Sequence, residues 1–375
     1  MGSDSEAPPA QLTALTGLRF WAALWVVLYH FGGTAVPQVP APWGAWLAGV
    51  VGHGYAGVSF FFILSGFVLA YRYAPLSAGF DARDRRRFWR ARAARIAPLY
   101  YAALLLSLPP ALWSVGELDV WGWMRFGIRL MAEATFTHAW TPWTVCTINC
   151  PGWSLSAEAV MYALTPWLLV ALAAVPRLRA SGWLWVAALV PAVLYSAMRP
   201  PMTDEQEMGY WLFRGIKFFP LWHLPQFMLG LVAGSYYARG GRIVGWGALA
   251  AVIAGWMGFL LLFSTWELPY ALVNNGLLAP LIVLTLLYLS SNSGVWPARI
   301  LGSAGMVFLG EISFGFYLLQ VPVAGWMEHM SNGRFDPHAL SLEQLALFVV
   351  CLTVCASAAY YALERPARTW ILRRR

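Results

Sequence analysis

The sequence predicts an all-α membrane protein: a bundle of about ten transmembrane helices with both termini on the cytoplasmic side. Composition is the first ground. Of 375 residues, 59% are hydrophobic and only 11% charged, against about 25% charged in an ordinary soluble domain, and the mean hydropathy is +0.58. A water-soluble globule of this make-up would leave large apolar patches exposed. The second ground is a set of ten runs close to the ~20 apolar residues that cross ~30 Å of hydrocarbon. The third is the placing of the basic residues. The net charge of +8 is carried almost wholly by arginine, with Lys217 the single lysine. The arginines lie between apolar runs, which is the positive-inside pattern rather than a nucleic-acid footprint. The bilayer is therefore the expected partner, and no nucleic acid. Four cysteines and long apolar runs also exclude a secreted disulfide scaffold and a disordered chain.

In chain order, the first span, 18–36, opens on Arg19, and the second, 56–74, closes on Arg72. The cluster Arg83 to Arg95 precedes the third, 96–115. The fourth, 153–175, ends before Arg177 and Arg179, and the fifth is 182–199. Arg239 and Arg242 separate the sixth, 222–238, from the seventh, 243–263. Arg299 lies between the eighth, 274–291, and the ninth, 303–327, and the tenth, 343–363, runs into Arg365, Arg368 and Arg373 to Arg375. That arrangement puts 19 basic residues inside and 6 outside. The outer loops are then 37–55, 116–152, 200–221, 264–273 and 328–342. Five charges interrupt the apolar stretch 117–140, which reads as an interfacial or re-entrant helix. Residues 1–11 form a polar tail without a basic segment or cleavage site, so the first span is expected to act as its own uncleaved anchor. Residues 12–372 make one membrane domain, and 373–375 a basic end. No internal repeat is visible.

Ionisable residues within spans mark functional sites by default. His30 follows Arg19 by eleven residues, which places both on one helix face about 16 Å apart. It reads as functional, or as a histidine satisfied by a neighbouring helix with Arg19 snorkelling to headgroups. Arg92 and Arg95 share a face at i, i+3 just before Pro98. They read as part of a stop signal, or as a paired anion site whose guanidinium forks match phosphate oxygens. Ser154 and Glu158 share a face near the start of the fourth span, as a helix cap with a carboxylate favoured there, or as the outer opening of a polar cavity. Glu311 carries the same two readings. Cys146 and Cys150 lie in an outer loop where a disulfide is permitted. Cys351 and Cys355 read as apolar packers. No metal-ligand constellation is present.

At these residues the chain resembles the acyltransferase 3 family of integral membrane proteins. ALTGLRFWAALWVVLYHF, FFFILSGFVLAYRY, RARAARIAPLYY, GWSLSAEAVMYALTP, GEISFGFYLLQVPV and ALERPARTWI are similar to the family's motifs and occur in its order. The departures are Thr16, where the family usually has Asp, and Phe314 and Gln320, where Tyr and His are common. The resemblance implies an enzyme that moves an acyl group, often acetyl, from a cytoplasmic donor such as acyl-CoA. The acceptor would be a hydroxyl of a carbohydrate, glycolipid or glycosylated natural product. Acyl-CoA would be a co-substrate, with no permanently bound cofactor. A multi-pass protein of the inner (plasma) membrane is implied, with no oligomeric state indicated. Carried over by residue, His30 would be the general base, its ordinary pKa near ~6.5 suiting proton transfer near neutrality, with Glu158 beside it. Arg19, Arg92 and Arg95 would hold the donor, and Ser154, Tyr162 and Glu311 would orient the acceptor. A transporter would show paired halves, which are not visible. A non-catalytic scaffold would leave His30 and the arginine pair without a purpose.

Overall fold

The computed structural model describes residues 12–76, 79–173, 177–198, 207–265 and 270–373, among which every regular element is helical. The tail 1–11, Asp204, Glu205, Arg374 and Arg375 lie outside the described residues. Helices are the expected outcome, because a backbone in hydrocarbon must satisfy its polar groups within its own segment.

Each of the ten expected spans holds a helix, but with shifted ends and a smaller count of crossings. Among the described residues, six helices are long and apolar enough to cross a membrane, and eight if two bent pairs each count as one. The count of ten is not confirmed among the described residues. Helix α1 (Thr13–Phe31) ends early because the Gly32 N–H closes on the Leu28 carbonyl at 2.7 Å. The expected loop 37–55 contains a helix, α2 (Trp43–Gly52), which meets α3 (Ala56–Arg72) at a 51° bend. The basic run is itself helical: α4 spans Ala82–Val115, and Asp81 caps it by accepting the Asp84 N–H at 2.7 Å. Helix α5 (Val120–Ala134), in the stretch read as interfacial, is capped by Asp119 and is not among the crossing helices.

Helix α6 (Trp153–Ala173) and α7 (Arg177–Met198) follow. The short α8 (Glu207–Phe218) falls in the expected loop 200–221. Helix α9 (Pro220–Ala238) is buried along much of its length, including His223 and Gln226. With His223, Gln226, Ser235 and two tyrosines in its length, it is not among the helices apolar enough to cross a membrane. Gly230 and Gly234 of α9 have no room for a Cβ against the carbonyls of Ile63 and Phe67 on α3. The small-xxx-small spacing lets the two backbones approach closely. Helix α10 (Trp246–Thr265) has an apolar stretch, Trp246–Leu262, shorter than a full span.

The eighth expected span is interrupted. A turn α11 (Tyr270–Leu272) enters a π segment, Val273–Leu277, with non-helical backbone at Asn275 and Gly276, before α12 (Ala279–Ser291). After α13 (Trp296–Leu301), the ninth is bent by 65° between α14 (Ala304–Leu318) and α15 (Gln320–Met330). The tenth continues from α16 (Leu342–Ala359) through a π turn, Tyr360–Glu364, into α17 (Arg365–Arg373). Two apolar cores result. One joins α1, α3, α4, α6, α14 and α16 around Phe62, Phe88, Tyr100, Met161, Phe316 and Phe348. The other joins α1, α3, α9 and α12 around Leu15, Ile63, Phe67 and Ile282. Helices α1 and α3 belong to both, so the wall between the cores is also the wall of the site.

Candidate active site

A cavity of about 450 Å³ opens between α1, α3, α4, α6 and α14. Four guanidinium groups line it: Arg19 from α1, Arg72 from α3, and Arg92 and Arg95 from α4. Glu158 is the carboxylate among the lining residues. The i, i+3 spacing on α4 delivers both of its arginines to this space. Their cost in a largely apolar bundle is met in different ways.

Arg95 pairs with Glu364 at 3.3 Å, where the carboxylate side chain is 3% exposed and the guanidinium 24%. Its other terminal nitrogen, Nη2, is buried without a hydrogen-bond partner, as is Nε of Arg92. Arg92 lies over the Tyr162 ring at 5.9 Å and the Phe88 ring at 6.0 Å. Arg95 lies over Phe314 at 6.0 Å, so the residue that replaces a common tyrosine presents a ring face to a cation. Buried donors without acceptors are costly unless a ligand satisfies them. The cavity can therefore take an anionic, oxygen-rich group.

Along α6, Ser154, Glu158 and Tyr162 stand one turn apart, and all three line the cavity. The Tyr162 hydroxyl donates to Glu158 Oε1 at 3.0 Å and lies 3.0 Å from Ser65 Oγ. Ser154 does not cap the helix. Its hydroxyl donates to the Pro151 carbonyl at 3.1 Å and lies 3.0 Å from the Tyr317 hydroxyl. Tyr317 also donates to Pro151, at 3.0 Å. This contact ties α6 to α14 at the cavity wall.

His30 is not among the lining residues. It sits exposed near the end of α1, with Nδ1 2.8 Å from Gln320 Oε1. Gln320 is fully buried, and its Nε2 donates to the Tyr317 carbonyl at 2.6 Å. That contact fixes the amide so that Oε1 faces the imidazole. Nδ1 must then be the protonated nitrogen, which leaves Nε2 with a free lone pair. A neutral imidazole held in one tautomer is the form that accepts a proton. The 65° bend before Gln320 puts Tyr317 at the cavity and Gln320 at the histidine.

The structure thus brings Arg19, Arg92, Arg95, Ser154, Glu158 and Tyr162 together around one space, with His30 next door. Glu311 is not brought to the cavity; it accepts a hydrogen bond from the Tyr360 hydroxyl at 2.7 Å. Cys146 and Cys150 are bonded to each other in the loop that leads into α6. Among the described residues, no cluster of His, Cys, Asp and Glu is arranged to hold a metal ion. Sequence reasoning passed over Tyr317, took Gln320 only as a departure from the family's motif, and counted Glu364 among the ionisable residues of the spans without giving it a role. The signal for Tyr317 and Gln320 was position inside the motif GEISFGFYLLQ.

Residues 12–361 match the acyltransferase domain family. "Acyltransferase MdmB" of Streptomyces mycarofaciens is 29% identical over 399 residues, covering 98% of this chain and 95% of that protein. "Exopolysaccharide production protein ExoZ" of Rhizobium meliloti is 26% identical over 328 residues, covering 84% and 89%. No solved structure matches the chain.

Proposed function

The chain belongs to the acyltransferase domain family, and on that premise we propose that it is an inner-membrane O-acyltransferase using acyl-CoA and a glycosyl acceptor. The transferred group is acetyl in the simplest case. The observation that carries this reading is the cavity with four arginines, two of which hold unpartnered donor nitrogens. A donor bearing several phosphates answers that excess of positive charge, since guanidinium matches phosphate oxygens in pairs. An exopolysaccharide-production relative favours a carbohydrate acceptor. The arginine-rich end faces the cytoplasm by the positive-inside rule, and His30 lies at the other end of α1. Donor and acceptor then approach from opposite sides.

In this reading the arginines hold the donor phosphates while its thioester extends towards the Ser154–Tyr317 tie. His30 Nε2 takes the proton of the acceptor hydroxyl, and the oxygen attacks the thioester carbonyl. Collapse breaks the carbon–sulfur bond, the ester remains on the acceptor, and the imidazolium returns its proton to the departing thiolate. Purified protein incubated with radiolabelled acetyl-CoA and a panel of methyl glycosides tests this. Label should enter a glycoside with wild-type protein and not with His30→Ala. Transfer at equal rates by both proteins, or to no glycoside at all, overturns it.

A further inference from the structure

Lys217 is the only lysine in the chain. It lies part-exposed near the end of α8, and among the described residues no carboxylate pairs with it. Its ammonium instead sits over three rings: Tyr270 at 4.7 Å, Phe218 at 5.0 Å and Phe213 at 5.6 Å. The neighbouring cation, Arg214, is already committed. It donates to the carbonyls of Pro142 and Val145 and to the Tyr210 hydroxyl.

From Lys217 an unbroken run of rings leads to the histidine. Tyr270 packs against Tyr55 with centroids 4.2 Å apart, Tyr55 against Tyr29 at 5.3 Å, and Tyr29 against His30 at 5.2 Å. Tyr29 and Tyr270 are part-exposed and His30 is exposed, so this surface is open. It is also rigid. The Tyr270 hydroxyl donates to Asn274 Oδ1 at 3.3 Å, in the broken segment between α11 and α12. The buried His223 of α9 holds the Lys217 carbonyl through Nε2 at 3.0 Å. The ring run is what joins the two groups, with the Lys217 ammonium over Tyr270 at one end and His30 against Tyr29 at the other.

We propose that Lys217, with the rings of Tyr270 and Tyr29, forms the acceptor subsite, which takes a glycosyl unit and presents one of its hydroxyls to His30. This rests on the O-acyltransferase reading above and deepens it. A sugar has an apolar face that packs on a fixed ring and an edge of oxygens that needs donors. A few directed polar groups on an otherwise aromatic wall are what a specific small-molecule site provides. The ammonium supplies three donors and no acceptor. Burial, then the Arg214 guanidinium, lowers its pKa to about 8, which leaves it mostly protonated at neutral pH. Lys217 is a positioning residue: it holds the acceptor and takes no part in proton transfer.

The test is initial-rate kinetics of the purified full chain in detergent. It uses labelled acetyl-CoA and whichever methyl glycoside of a gluco, galacto and manno panel accepts label. Lys217→Met should raise the glycoside KM roughly ten- to hundredfold, the worth of one charged hydrogen bond, with the acetyl-CoA KM unchanged. Lys217→Arg should restore most of the loss, and Tyr270→Ala should raise the glycoside KM as well. An unchanged glycoside KM in a folded Lys217→Met protein overturns the subsite while leaving the acyl-transfer reading intact. A fall in kcat shared equally by the Met and Arg variants overturns it too, because that is damage to the fold. If the wild-type chain labels no glycoside, the acyl-transfer reading fails and takes the subsite with it.

Discussion

The Arg95–Glu364 pair decides how the two α4 arginines divide their work. Arg95→Met would strand a carboxylate whose side chain is 3% exposed, with no other hydrogen bond to it among the described residues. Breaking a buried pair from one side costs about 3–5 kcal/mol, because the remaining charge loses its compensation. Glu364→Gln is milder. The Arg95 side chain is 24% exposed and opens onto a cavity that can hydrate it, so about 1.5 kcal/mol is expected, the worth of one charged hydrogen bond. In the double variant neither charge remains, and stability should recover above that of Arg95→Met alone. At about 2 °C per kcal/mol for a chain of this length, Arg95→Met should melt roughly 6–10 °C below wild type. The assay is thermal unfolding of detergent-purified protein followed by intrinsic fluorescence. A double variant that loses the sum of the two single effects would show that the residues are not coupled. Arg95 would then serve the donor alone, and its structural share would be refuted.

Arg92, with a buried unpartnered Nε on the cavity wall, should behave as a ligand-binding residue. Arg92→Ala should weaken acetyl-CoA affinity roughly ten- to hundredfold with little change in melting, whereas Arg83→Ala, before the span, should do neither; equilibrium binding of the donor separates them. His30→Ala should lower transfer by about 10²–10⁴-fold in a folded protein, and Gln320→Leu should give a smaller fall, since it removes only the acceptor that fixes the tautomer; turnover near wild type in folded His30→Ala would remove its role as base. Glu133 on α5 is fully buried, and burial pushes its carboxyl from 4.5 up to about 7 against the N–H groups of Ile148 and Asn149, which lower it. The folded state then holds this proton more tightly than the unfolded chain does, so its contribution to stability falls as pH rises from about 4.5 to about 7. Glu133→Gln should therefore gain on wild type by up to about 3 kcal/mol between pH 5 and pH 8, and parallel melting curves would contradict it. Gly230→Leu should abolish folded protein, since no Cβ fits against the Ile63 carbonyl; recovery of normally melting protein would show that α3 and α9 can separate.

Hydropathy and the placing of arginine determined the fold class and the approximate position of the helices in the ten expected spans, because a helix in lipid answers chiefly to its own residues. The family was equally legible, because its motifs are local strings. What lay beyond local rules came from the tertiary structure. A window of apolar residues does not register that α9 is enclosed by protein, that α2 turns back before α3, or that α14 and α15 meet at 65°. Helix α1 carries Arg19 and His30 on one face, yet only Arg19 lines the cavity, while His30 meets Gln320. Arg92 and Arg95 look alike on α4, and Glu364, 269 residues from Arg95, separates their roles. Gln320 stands where a second histidine is common and reads as a loss, until the bend lays its amide against His30 from 290 residues away. Lys217 read only as one of six outer basic residues, and a run of rings through Tyr270, Tyr55 and Tyr29 links it to the histidine. Spans depend on what each segment is made of and can be read locally. Sites depend on which faces turn towards each other, and packing alone decides that.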